Sequence, residues 1–151
     1  MTNLLEQSIH TFEIRREVDI EAPIDITFQA VLDELGPEGQ MPDGTPFPFK
    51  LEPWPGGRWY RDLGNNAGHL WGHVQVIKPP KLLEIFGPMF MSYSATSHFQ
   101  YRLTPKGNDT HLAIVNRAFG MIPAADRDGM GVGWEHGLKR IRELAERRAG
   151  A

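Results

Sequence analysis

The feature that most constrains the fold is a regular series of short strand-like segments between residues 47 and 119. Clusters of glycine, proline and asparagine separate these segments, which are themselves rich in aromatic and aliphatic residues. Short strands at such regular spacing favour antiparallel pairing between neighbours, as in a meander. The pattern predicts about six strands, with the sequences FPFKL, RWYRDL, HLWGHVQVI, KLLEIF, SYSATSHFQYRL and THLAIVNRAF.

The segments before and after this series have a different spacing of apolar residues. The segment FEIRREVDIEAP alternates apolar and charged residues, which is typical of a half-buried strand, and Pro23 ends it. The following IDITFQAVLDEL has helical spacing up to Gly36-Pro37, and a further short helical turn is predicted at 37–41. Near the C-terminus, steps of three and four residues predict a long amphipathic helix through Met130, Trp134, Leu138, Ile141 and Ala145.

The order of these elements predicts an α+β domain. An antiparallel sheet has one apolar face to cover, and the apolar stripe of the last helix suits that role. The length of 151 residues fits one domain, and no internal repeat or linker divides the chain. We therefore expect a single domain over residues 1–151 with its core at about 12–148.

Composition narrows the function. The net charge of -3, without a basic stripe, argues against nucleic acid as a partner. Cysteine is absent, which excludes disulfides, thiolate metal sites and a cysteine nucleophile. No apolar run reaches the roughly 18 residues of a membrane span. Charged and apolar residues alternate in the first twenty positions, which is not typical of a signal peptide. The expectation is a cytoplasmic domain without a cofactor.

Two motifs that suggest a nucleotide or a metal have simpler explanations. Gly56-Gly57 precedes a strand pattern and no Lys-Ser or Lys-Thr pair follows it, so it predicts a turn rather than a phosphate loop. His69 and His73 share a predicted strand face, but residues four apart in a strand lie about 13 Å from each other. They cannot share one ion with bonds of about 2 Å, and we expect no metal site.

Four further patterns follow one another in the chain: IEAPIDITFQAV, LEPWPGGRWYRD, GHVQVIKPPKLLEIF and GVGWEHGLKRIRELAE. They resemble the strand-Ala-Pro-helix opening, the Gly-Gly turn, the Pro-Pro hairpin and the Trp-containing final helix of the START-like (helix-grip) superfamily. Within it, the chain is most similar to the branch named for homologues of the activator of the Hsp90 ATPase. The resemblance, over about 14–147, implies a curved antiparallel sheet of six to seven strands around a long C-terminal helix. One or two short helices would follow the first strand.

The resemblance also implies a ligand cavity between the sheet and the final helix. Taken singly, each aromatic residue on the inner face is better explained as core, and the resemblance implies that a subset lines the cavity. Asn116 lies in NRAFG, which is similar to a polar-x-Gly-Phe pattern of the family, although Ala118 stands at the glycine position. The residues expected to contact a ligand are Arg16, Phe49, Trp59, Trp71, Phe99, Tyr101, Asn116, Phe119, Met130, Trp134 and Leu138.

Arg16 is the charged residue on the apolar face of the first strand, so it needs a partner. The favoured interpretation is an ion pair with Glu135 or Glu143 of the last helix. The alternative is that Arg16 holds a ligand carboxylate.

The last helix and the strand HLWGH leave further alternatives open. Trp71 either caps the cavity mouth or lies on an exposed face that forms an interface. Asp126 is assigned to a solvated loop or a helix start.

Helical glycines cost about 1 kcal/mol each relative to alanine, so a glycine at every fourth position of the last helix needs a compensating gain. That gain is either close packing of tryptophans or room for a ligand or a second subunit, at Gly129, Gly133 and Gly137. The alternative for Gly129 is that it precedes a helix that starts later.

Three functions fit these observations. The leading hypothesis is non-catalytic binding of a small hydrophobic, lipid-like or amphipathic molecule in the cavity. The second is a cyclase-, isomerase- or hydrolase-like enzyme that uses the same cavity with Asn116, Arg16 or Tyr101 as polar groups. The third is a cochaperone-like protein-interaction module. A homodimer and a chaperone partner stay open.

Overall fold

A computed structural model describes residues 4–151, which form one seven-stranded antiparallel sheet and two helices. The sheet order is β1-β7-β6-β5-β4-β3-β2, so the first and last strands pair with each other. The predicted α+β helix-grip fold is confirmed. Its elements are β1 (His10–Ile20), α1 (Ile24–Glu34), β2 (Lys50–Leu51), β3 (Arg58–Gly64), β4 (Ala67–Lys78), β5 (Leu82–Gly87), β6 (Ala95–Lys106), β7 (Asp109–Gly120) and α2 (Ala124–Ala149).

The connection between α1 and β3 differs from the expectation. Residues 37–41 do not form a second helix, and the segment FPFKL contributes only the two residues of β2. The reason is that the turn after α1 holds this segment: the Phe47 and Phe49 N–H groups donate to the Gly39 and Gly36 carbonyls at 2.8 and 2.9 Å. Their backbone is therefore committed to the turn instead of to a longer strand.

The main core lies where the inner face of the sheet meets α1 and the C-terminal half of α2. Its members are apolar residues whose side chains are almost completely buried, among them Ile20, Val31, Leu83, Ile85, Phe99, Leu112, Ile114, Leu138, Ile141, Leu144 and Ala145. A smaller cluster surrounds Met130 near the start of α2 and includes Met91, Ala118 and Ile122. Burial of α2 is thus concentrated at its C-terminal half.

Helix α2 begins at Ala124, so Gly129 lies within it and not before it. The helix has 26 residues, of which Met130, Leu138, Ile141, Leu144 and Ala145 are buried. Within residues 4–151, neither helix combines the length and the hydropathy that crossing a membrane requires.

Because the C-terminal half of α2 completes the core, truncating a side chain there is expected to destabilise the domain. Ile141→Ala should lower the free energy of unfolding by about 2–5 kcal/mol, the usual range for a fully buried aliphatic residue. Val132→Ala, on the exposed side of the same helix, should change it by no more than about 0.5 kcal/mol. Urea unfolding followed by tryptophan fluorescence measures both. Equal effects would contradict this placement of the core.

Candidate functional site

A pocket of about 440 Å³ lies beside the N-terminal half of α2, at the end of α1 and over the inner face of β3, β4 and β6. This volume falls in the range of small-molecule sites. Most of its wall is apolar. The lining residues are Glu34, Leu35, Gly39, Gln40, Met41, Pro42, Phe47, Phe49, Trp59, Trp71, Met89, Phe90, Tyr101, Ala125, Asp126, Gly129, Met130, Gly133, Trp134 and Gly137.

Aromatic rings in mutual contact form the sheet side of the pocket. Phe49 stacks on Trp59 with ring centroids 4.9 Å apart and meets Trp71 edge-on at 4.6 Å. Trp59 and Trp71 are also in edge contact, at 5.2 Å. Contacts of this geometry stabilise aromatic pairs beyond simple burial, so the wall is a fixed surface.

The indole N–H groups of the three pocket tryptophans all have hydrogen-bond partners within the protein. Trp59 Nε1–H donates to the Leu35 carbonyl at 2.6 Å, and Trp71 Nε1–H donates to His69 Nδ1 at 3.1 Å. Trp134 Nε1–H donates to Asn116 Oδ1 at 3.2 Å. Buried indole N–H groups need such partners. As a result, the tryptophans offer the pocket aromatic carbon rather than hydrogen-bond donors.

A β-bulge brings Trp71 into the pocket. In the β3–β4 pairing, Trp59 lies opposite Gly72 and Tyr60 opposite Leu70, so Trp71 has no partner residue in β3. An extra residue of this kind bends the strand and redirects its side chain. Both Trp71 and Val74 can therefore face inward, although simple alternation would place them on opposite faces. Of the two alternatives for Trp71, the structure favours the cavity.

The glycines of α2 leave space along the helix side of the pocket. Gly129, Gly133 and Gly137 all line it. A Cβ atom built on Gly129 or Gly133 would meet nothing within 4 Å, and one on Gly137 would meet only a Glu34 carboxylate oxygen at 3.7 Å. Tight packing of tryptophans against these glycines is therefore excluded, and room in the pocket is the interpretation that the geometry supports.

Six of the eleven sequence-predicted ligand residues line this pocket: Phe49, Trp59, Trp71, Tyr101, Met130 and Trp134. Three others lie behind its wall. Phe99 and Leu138 belong to the core. The Asn116 amide donates to Ser97 Oγ at 2.6 Å and to the His98 carbonyl at 3.2 Å, and its oxygen accepts from Trp134. Asn116 therefore positions Trp134 and does not reach the cavity.

The remaining two residues lie outside the pocket. Phe119 is 57% exposed on the outer face of β7, so its expected place in the cavity wall is wrong. The physical reason is strand alternation: Asn116 and Ala118 face inward, and Phe119 must then face outward. Arg16 forms an ion pair with Glu135, which confirms the favoured interpretation, and both side chains remain substantially exposed.

The sequence reasoning missed Glu34, the last residue of α1. It follows Thr27, Ala30 and Val31 at helical spacing on the buried face of α1, a signal that a carboxyl group would be placed in the interior. Glu34 is only 9% exposed and lines the pocket. Burial, partly offset by the positive charge of Arg140, raises the pKa of Glu34 to about 8.

Within the described chain, the Glu34 carboxyl has no ion-pair partner, because Arg140 pairs instead with Glu38 at 3.6 Å and Glu143 at 3.9 Å. Tyr101 lies nearby, and complete burial together with the Glu34 charge holds the pKa of Tyr101 well above its ordinary value. Near neutral pH, the pocket thus contains a neutral phenol and a carboxyl group that can gain or lose a proton.

Asp126, which lines the pocket in the first turn of α2, was expected only at a helix start or in a loop. The structure confirms the helix start. Its Oδ2 accepts a hydrogen bond from the Tyr93 hydroxyl at 2.7 Å. This carboxylate therefore already has a partner, unlike that of Glu34.

The histidines of β4 have separate environments. His69 accepts the hydrogen bond of Trp71, and the His73 ring lies 6.0 Å from that of Phe86. In the described part of the chain, no three His, Asp or Glu side chains form a group that could hold a metal ion.

Residues 43–146 match the model of the family described as Activator of Hsp90 ATPase homolog 1-like protein. The chain belongs to this family. The match includes most strands of the sheet, nearly all of α2 and most of the pocket wall. No curated protein matches the chain.

Several solved structures share the fold. An uncharacterized protein from Rhizobium leguminosarum aligns with a TM-score of 0.71 at 18% identity, over 95% of this chain and 99% of that one. CalU16 from Micromonospora echinospora aligns with a TM-score of 0.61 at 21% identity, over 92% and 87%. The di-domain ARO/CYC protein StfQ of the steffimycin biosynthetic pathway aligns with a TM-score of 0.64 at 13% identity, over 93% of this chain and 52% of StfQ. At these identities the similarity shows the fold alone.

Arg16 is expected to contribute little to stability. Its ion pair with Glu135 is solvent-exposed, and such pairs stabilise proteins by no more than about 1 kcal/mol. Arg16→Met should therefore lower the free energy of unfolding, measured in urea, by less than about 1 kcal/mol. A larger loss would mean that the guanidinium has a buried partner.

Glu34 is expected to make stability depend on pH. Its pKa is about 8 when folded and near 4.5 when unfolded, so the unfolded state loses its proton first as the pH rises. Below pH 4.5 the carboxyl is protonated in both states, and its contribution to stability is complete. As the pH rises to 8, the free energy of unfolding falls by a few kcal/mol in total, because each unit of pKa difference corresponds to about 1.4 kcal/mol.

The Glu34→Gln variant has no titrating group at this position, so it does not lose stability in this way. The free energy of unfolding of the variant, minus that of the unmodified protein, should therefore increase between about pH 5 and pH 8 and then level off. Urea unfolding at several pH values measures this difference, in which the titration of all other groups cancels. A difference that stays constant over this range would show that Glu34 ionises normally in the folded protein.

Proposed function

We propose that this domain binds a small, largely apolar molecule in the pocket between the sheet and the N-terminal half of α2. The observation that carries the proposal is that Gly129 and Gly133 line this pocket and that a Cβ atom on either glycine would have no other atom within 4 Å. Each helical glycine costs about 1 kcal/mol of stability relative to alanine. No packing contact at these glycines offsets this cost, so their contribution is space in the pocket.

The chemistry of the wall supports an apolar ligand with few polar groups. Six aromatic residues (Phe47, Phe49, Trp59, Trp71, Phe90 and Trp134) line the pocket without offering it a hydrogen-bond donor. The polar side chains that remain are Glu34, Gln40, Tyr101 and Asp126. Predominantly apolar walls with a few converging polar groups are typical of small-molecule sites.

A second candidate function is catalysis in the same pocket. The observation that favours it is the burial of Glu34 next to Tyr101, because a carboxyl group with a pKa of about 8 can exchange a proton near neutral pH. StfQ, which has the same fold, is named as a di-domain ARO/CYC protein of a biosynthetic pathway. If the domain is an enzyme, Glu34 would be its acid or base, in place of the Asn116 and Arg16 suggested by the sequence. The cochaperone-like alternative stays a prediction.

The binding proposal can be tested by filling the pocket. Gly133→Leu places a side chain in the open space and should weaken binding of the neutral fluorescent probe N-phenyl-1-naphthylamine by about tenfold or more, which corresponds to about 1.4 kcal/mol or more. Gly131→Leu is the matched control: this glycine also has nothing within 4 Å, but it does not line the pocket. Probe fluorescence and quenching of the pocket tryptophans report binding.

Both substitutions replace a helical glycine by a good helix former, so neither should destabilise the protein. Equal probe affinity in the two variants, or no binding to the unmodified protein, would contradict the proposal. Native mass spectrometry of the purified protein complements this test, because a co-purified molecule that Gly133→Leu excludes would identify the chemical class of the ligand.

A further inference from the structure

The charged groups that line the pocket share one sign. Glu34 and Asp126 are its acidic residues, and no lysine, arginine or histidine is among the twenty lining residues. The carboxyl group of Glu34 is the unpaired one, since that of Asp126 already accepts the Tyr93 hydroxyl. A buried carboxyl without a partner is an energetic cost that a ligand of opposite charge would remove.

The end of α1 adds to the negative potential at this point. Glu34 is the last residue of the helix and Leu35 is its C-cap, and both line the pocket. The C-terminal end of a helix carries a partial negative charge from its free carbonyl groups, which favours a cation and disfavours a carboxylate. A cation beside Glu34 would therefore interact favourably with both the side chain and the helix end.

The aromatic wall is suited to the same kind of ligand. The N–H groups of Trp59, Trp71 and Trp134 already donate to acceptors of the protein, so these residues offer the pocket ring surface rather than a free donor. The face of an aromatic ring attracts cations, most strongly when the ring is that of tryptophan. One ring of the wall already shows this preference: the Arg61 guanidinium lies 3.6 Å from the centroid of Phe47.

From this geometry we infer that the ligand is an organic cation, an amine or quaternary ammonium on an apolar body, whose charged nitrogen lies between Glu34 and the tryptophan rings. The inference rests on the proposed function and specifies its ligand class. The apolar body would occupy the space beside Gly129 and Gly133, and the nitrogen would lie at the Gly137 end, where the Glu34 carboxylate is located.

Two arginines near the pocket do not oppose this assignment. Arg140 pairs with Glu38 and Glu143, and Arg61 lies against Phe47 and Phe49 without lining the pocket. The titratable and charged groups that face Glu34 are thus Tyr101 from β6 and Arg140 from α2. The inward side chains of β7, the other strand that contacts α1, do not titrate.

The test compares three probes of similar shape by their displacement of N-phenyl-1-naphthylamine at pH 8.5: the cation benzyltrimethylammonium, its neutral carbon isostere neopentylbenzene, and the anion benzenesulfonate. The cation should bind about tenfold more tightly than the isostere, as expected for a desolvated cation–π contact reinforced by a carboxylate. Glu34→Gln should reduce this preference to less than about threefold, because it removes the charge that attracts the nitrogen. Glu135→Gln makes the same change of charge on α2 outside the pocket and should retain the preference.

The pH profile provides a second readout. Ionised Glu34 strengthens the binding of a cation, so benzyltrimethylammonium affinity should rise between pH 6.5 and 8.5 by about threefold or more in total, the factor that Glu34→Gln removes. Glu34→Gln should have no such slope, and neither should the neutral isostere.

The outcomes separate the two proposals. If the isostere or the anion binds as tightly as the cation, or the preference survives Glu34→Gln, the cation assignment is overturned while the pocket remains a binding site. If no probe, including N-phenyl-1-naphthylamine, binds to the unmodified protein, the proposed function fails and the cation assignment fails with it.

Discussion

The aromatic contacts around Phe99 are the interaction on which the rest of the structure depends. Phe99 is completely buried in the middle of β6, and its ring lies 5.4 Å from those of both Trp59 and Trp134. Trp59 in turn donates to the Leu35 carbonyl at the end of α1. One set of rings thus joins the sheet to both helices. It also fixes the positions of two tryptophans whose opposite surfaces form the pocket wall, so the core and the pocket have a common support.

Helix α2 has different tasks in its two halves. The C-terminal half carries Leu138, Ile141 and Leu144 into the core, and the Arg148 guanidinium ties its end to Asp33 of α1 at 2.7 Å. The N-terminal half carries the glycines and leaves a cavity. Proteins commonly give up stability where function needs space or an unusual environment. In α2, stability and space are provided by different turns. The C-terminal half stabilises the core, and the N-terminal half borders the pocket.

Glu34 is where the structure departs most from what a core alone would require. A glutamine or an apolar residue at the end of α1 would avoid the burial of a carboxyl group that has no partner. Strongly perturbed groups in a cavity are typical of functional sites. The proposed binding of a cation and the alternative, transfer of a proton, would both use this group, and they differ in whether the bound molecule leaves unchanged.

The local sequence determined the elements, because hydrophobic periodicity and turn-forming residues act over short distances. The alternating strands, the helix after Pro23 and the long final helix were all predictable, as was the ion pair of Arg16. Strand alternation could also have placed Phe119 on the outer face. Tertiary structure decided the pocket. The inward position of Trp71 results from a register shift against β3, and the use of Asn116 to hold Trp134 results from packing between β7 and α2. Helical spacing with Thr27, Ala30 and Val31 places Glu34 on the buried face of α1. How strongly its carboxyl is desolvated depends on how α1 meets α2 and β6, because the residues that surround it are distant in the chain.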